Sequence, residues 1–202
     1  MKKLSTFSLI AAVIFCILAV LSFFVGEEGL GLYLPIRFLG HMLILIIFVC
    51  MLFSKSHRWT SVLGIMAGLC GCASVLLFSA FIKAEQSEVA IKLTNGSRIL
   101  ETLNIVLIFI SGFLLYAEFR NNKKYRLFAR LAVISYLFIK AVIPAFFVLV
   151  CTPKDMSQFE DLMHLRDVLP TVAFYCLCFL YLMALSFALD QKNSEAQPGA
   201  EV

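Results

Sequence analysis

Charge is scarce in this chain, and so is every familiar catalytic motif. Only 15% of its 202 residues are charged, while 61% are hydrophobic. Mean hydropathy is +0.94. A soluble domain averages about 25% charged and about 45–50% apolar residues, so polar surface could not cover such a core. Histidine is limited to His41, His57 and His164. No two of these stand at metal-ligand spacing, and only His41 falls within an apolar run, which argues against zinc and haem sites. GxSxG, HExxH and P-loop motifs are missing, so any ATP-driven activity would need another chain. Seven cysteines occur without a single CxxC, which removes the thioredoxin-like pair and the zinc knuckle. No stretch alternates apolar and polar residues for long, as a membrane barrel requires. Enzyme activity is therefore not the expected function, and neither a cofactor nor nucleic acid is expected.

What is present is a series of long apolar runs, at residues 1–25, 36–53, 60–82, 99–119, 127–151 and 169–189. A bilayer crossing needs about 20 such residues. The first run is too long for the core of a signal peptide and lacks a small-residue cleavage site, so it reads as a retained helix. The fold class expected is an all-α integral membrane protein, a bundle of six transmembrane helices forming one domain over residues 1–189. The lipid bilayer is its solvent, and the backbone is satisfied within the helices.

The connections are short. Residues 26–35 form an acidic turn with Glu27 and Glu28, and Pro35 suits the first turn of the next helix. Residues 54–59 and 120–126 form basic turns, the second reading RNNKKYR. Residues 83–98 read as a loop, closed by a turn at Asn95-Gly96. Asn95-Gly96-Ser97 also matches a glycosylation acceptor, but the plain turn is preferred. Residues 152–169 read as a short amphipathic surface helix between the last two spans. Thr152, Pro153 and Asp155 suit a helix start, and Met156, Phe159, Leu162 and Met163 recur at helical spacing. Residues 190–202 are polar and read as a disordered cytoplasmic tail. Basic residues near span ends set orientation. They collect on the side of Lys2, Lys3, Lys55, Arg58 and RNNKKYR, which places both termini in the cytoplasm of a multi-pass cell-membrane (inner or plasma membrane) protein.

Polar residues inside the runs are the functional signal. Lys140 sits near the middle of the fifth run, with Pro144 one turn on. A central lysine costs about 2.5–3.5 kcal/mol on insertion. The apolar residues around it supply on the order of −4 to −8 kcal/mol, so the helix still inserts. Pro144 is expected to kink it. Tyr136, Lys140 and Pro144 share a face. Glu101, Asn104, Ser111 and Glu118 share another on the fourth helix, and Arg37 and His41 one on the second. Such groups face protein or water. Two readings follow. In one, Lys140, Glu101, Asn104, His41 and Tyr136 line an outward-opening pocket for a small molecule, with Glu101 paired to Lys140 and the surface helix as a lid. In the other, a Lys–Glu pair merely fixes packing.

The third run carries Ser61, Gly64, Gly68 and Gly71 on one small-residue stripe. Such a stripe lets a second helix approach closely. It serves either packing within the bundle or docking of a second membrane subunit or a second copy of the chain. The first run has a weaker version in Ser8, Ala12, Cys16 and Ala19. Two functions therefore stand: binding or transport of a small molecule through the polar pocket, and a non-catalytic subunit or assembly factor that docks through its small-residue faces.

Overall fold

The structure is a computed structural model, and it describes residues 2–25, 30–53, 58–84, 87–150 and 156–195. Helices account for nearly all of them: α1 (Lys2–Val25), α2 (Leu30–Phe53), α3 (Arg58–Ile82), α4 (Ser87–Glu118), α5 (Lys123–Leu137), a π-helical turn (Phe138–Val142), α6 (Ile143–Val150) and α7 (Met156–Glu195). Six segments are long and apolar enough to cross a membrane, α5 and the π turn contributing to one, Lys123–Phe146. Their outward faces carry large apolar side chains such as Ile10, Ile17, Leu76 and Phe113, as lipid-facing helices do.

The chain divides into two compact units, Met1–Tyr33 with Arg120–Val202, and Leu34–Phe119. In the first, α1 packs on α7, and α5 packs on α7. Small residues make the α1 seam: Ser8 and Ala12 are fully buried, with Phe15 beside them. Ser5 Oγ donates to Ser186 O at 3.2 Å, and Phe15 meets Tyr175 at 5.8 Å between ring centres. Residue number rises along α1 as it falls along α7, so the two run antiparallel. Cys16, expected on the small stripe, is exposed instead, because the seam follows Ala11, Phe15 and Leu18. On the other flank Phe128 meets Phe187 at 5.2 Å.

In the second unit α3 packs against α4. A reciprocal serine clasp joins them: Ser74 Oγ donates to Ser97 O, and Ser97 Oγ to Ser74 O, each at 3.0 Å. The glycines of α3 receive α2. A Cβ on Gly64 would strike the ring of Phe48, and one on Gly68 would come within 3.0 Å of the Leu45 backbone. The stripe is thus occupied inside the unit.

Several sequence expectations change. Helix α2 begins at Leu30, so Pro35 lies in its second turn. Only one backbone hydrogen bond is forfeited there, and the apolar residues before it continue the helix. Residues 26–29, with Glu27 and Glu28, lie outside the described residues.

The expected loop at 83–98 is mostly helix, since α4 starts at Ser87 and passes through Asn95-Gly96 without a break. Thr94 Oγ1 bonds Ala90 O at 2.9 Å, and Ser97 is buried in the clasp. Gly96 serves close approach rather than a turn. A Cβ there would meet only Leu77 Cδ1, at 3.2 Å, and its φ is not positive. Gly96→Ala is therefore expected to leave the melting temperature unchanged or raise it. Alanine gains about 1 kcal/mol of helix propensity, and a terminal methyl of leucine yields easily. A clear loss of stability would instead mark a left-handed turn.

The fifth span widens at Lys140. Ile143 N–H bonds Phe138 O, five residues back, which defines the π turn. In a regular α-turn the Pro144 ring would collide with the Lys140 carbonyl; the wider turn relieves that collision. The separate surface helix is not found. Residues 156–169 are the first part of α7, which passes Pro170 and runs on to Glu195. Proline at that position removes one donor but leaves the helix continuous. The helix also takes in the start of the expected tail, residues 190–195. The Thr152, Pro153 and Asp155 cap and residues 196–202 lie outside the described residues.

Candidate functional site

The Leu34–Phe119 unit brings four polar side chains together from α2 and α4. The spacing of each helix does this: Arg37 and His41 stand one turn apart, as do Glu101 and Asn104, so each pair lies along one face. The two helices run in the same direction here, and the pairs meet in register. Arg37 Nη2 contacts Glu101 Oε1 at 3.0 Å. One turn deeper, Asn104 Nδ2 lies 3.0 Å from His41 Nδ1.

Exposure falls step by step along this ladder. The Glu101 side chain is 38% exposed and Arg37 14%. His41 is 4% exposed, and Asn104 is not exposed at all. The charged pair forms a rim, and the neutral pair a floor. With Asn104 donating, His41 Nδ1 accepts, and the ring is neutral with its proton on Nε2.

Gly71 of α3 makes the floor possible. A Cβ at this position would fall on His41 Nδ1 and on Asn104 Nδ2. The third glycine of the stripe therefore clears space for a hydrogen bond rather than for a backbone. One group on the floor is left over, because Asn104 Oδ1 is buried and has no hydrogen-bond partner among the described residues. Such an acceptor costs about 1–3 kcal/mol if it stays unmatched. Further along the buried face of α4, Ser111 Oγ donates to Thr60 O at 3.4 Å. Glu118, expected on the same stripe, is exposed near the helix end.

Lys140 and Tyr136 belong to the other unit. Lys140 Nζ donates to Tyr136 Oη at 2.8 Å and lies 5.2 Å from the centre of that ring. Tyr136 is buried, and Lys140 is exposed. Within its own unit Glu101 contacts Arg37, and within the other Lys140 contacts Tyr136. The lysine stem runs back toward the preceding turn, following the tilt of helical side chains toward the N-terminus.

Sequence reasoning placed Arg37 and His41 on one helix face and Glu101 and Asn104 on another. It did not find the register that pairs them, nor the role of Gly71. The signal available was the match between the two one-turn spacings, with a glycine on the helix between them. Among the described residues, no group of three His, Cys, Asp or Glu side chains could hold a metal ion. No family model, curated protein or solved structure matches this chain.

Proposed function

We propose that this chain is a multi-pass cell-membrane protein, both termini cytoplasmic, that binds a small polar molecule in the Leu34–Phe119 unit. Its transport across the bilayer is the fuller form of the same reading. The molecule sits on the His41–Asn104 floor, beneath the Arg37–Glu101 pair. The observation that carries this is the buried, unmatched Oδ1 of Asn104. A bound molecule with a hydrogen-bond donor, such as a hydroxyl, amide or amine, completes it.

The graded exposure from Glu101 to Asn104 supports entry from the rim. The Arg37–Glu101 pair is the most exposed step of the ladder, where a polar group would first meet the site. Lys140 and Tyr136 form their own hydrogen-bonded pair, and the proposed site is complete without them. Docking of a subunit through Gly64, Gly68 and Gly71 is less favoured, because α2 already fills that groove.

Native mass spectrometry on protein extracted gently from its own membrane tests the binding. The wild-type chain is expected to carry a small-molecule adduct that His41→Leu/Asn104→Leu loses. An adduct of equal abundance in the double variant sinks the assignment.

A further inference from the structure

Lys140 carries a second inference, independent of the polar site and resting only on the reading that the fifth apolar run, residues 127–151, crosses a bilayer. Arg126 lies roughly 21 Å away along the helix and Val150 roughly 15 Å, at 1.5 Å per residue. The lysine therefore stands near mid-depth. Its stem points back along the helix to Tyr136, so its charge does not climb toward the nearer end.

An ammonium has three donors. Among the described residues Tyr136 is the hydrogen-bond partner, and it occupies one of them. The same face is apolar in the turns before the lysine, where Leu137 and Val133 are both exposed. The helix is widened into a π turn at this point, and such turns recur at functional sites. Charged groups at this depth normally have a partner within protein or water.

We infer that this face docks a transmembrane helix of a second, different protein, and that the helix presents an Asp or Glu carboxylate to Lys140 at matching depth. Charge complementarity selects this occupant. A second copy packed through the same face by two-fold symmetry would set one Lys140 against the other. Lipid tails offer no acceptor. Tyr136 is a positioning residue: its hydroxyl and ring hold the ammonium on this face.

A photo-reactive benzophenone side chain in place of Leu137, in the full chain and its own membrane, tests the inference. Irradiation is expected to give an adduct with a protein of different sequence, whose cross-linked peptide carries a mid-span Asp or Glu. Lys140→Met is expected to cut the adduct at least tenfold at equal protein level. That variant removes a charge from the span, so failed insertion would not account for the loss. Lys140→Glu is expected to abolish the adduct, and changing the partner's acid to lysine to restore it. The inference is overturned by adducts to lipid alone, within the same chain or to a second copy. A protein adduct that is indifferent to Lys140→Met also overturns it.

Discussion

Replacing Gly71 with leucine is expected to lower the stability of the Leu34–Phe119 unit by about 3 kcal/mol. Three terms decide this. Helix propensity favours the substitution by about 1 kcal/mol. Overpacking at a tight helix contact costs about 1–3 kcal/mol. The new Cβ falls on His41 Nδ1 and Asn104 Nδ2, so their hydrogen bond must open. Asn104 then keeps neither of its polar atoms paired, at about 1–3 kcal/mol for the newly stranded group. The unfavourable terms exceed the gain. Thermal or denaturant unfolding in detergent reads the effect, and Gly71→Ala is expected to move in the same direction because the Cβ alone makes the clash. Gly96→Ala is the control, since the same change in α4 meets only Leu77 Cδ1. Equal stability of Gly71→Leu and wild type would mean that α2 does not sit against this glycine.

His41→Leu alone is expected to destabilise by about 1–3 kcal/mol, because it strands the buried Asn104. Asn104→Leu alone strands His41 in turn. The double variant His41→Leu/Asn104→Leu removes both polar groups together. It is expected to unfold close to wild type, so the coupling energy approaches the sum of the two single losses. A cycle in which the two losses simply add would show that the 3.0 Å contact contributes nothing. The outcome also separates structure from function. A double variant that folds as well as wild type has lost only what the polar floor does for a ligand.

The six helices long and apolar enough to cross a membrane were legible because such a run is a property of consecutive residues. That Tyr136 and Lys140 share a face was legible too, since one helical turn separates them, but the bond between them was not read. Failures arose where a distant contact outweighed a local signal. Asn95-Gly96 has the composition of a turn, yet Ser74 and Leu77 of α3 hold this part of α4 against the neighbouring helix. Tertiary packing of this kind routinely overrides local propensity. The surface helix at 152–169 and the apolar run from 169 were read as separate elements, but from residue 156 onward α7 carries both, through Pro170, within one helix. The Arg37–Glu101 contact was not read from the sequence, because α2 and α4 lie in a register that one-dimensional spacing does not give. The same register aligns Gly71 with the His41–Asn104 bond. The glycine stripe could therefore be read as a packing surface, but not as the space that a buried polar pair needs.

The most direct test of the binding proposal is the mass of the intact protein, released from its own membrane, in wild type and in His41→Leu/Asn104→Leu at matched melting temperature. A small-molecule adduct carrying a hydroxyl, amide or amine, present on wild type and absent from the folded double variant, is the result predicted. The same adduct on both proteins, or a bare wild-type chain whose stability equals that of the double variant, would contradict it and leave the polar ladder as packing alone.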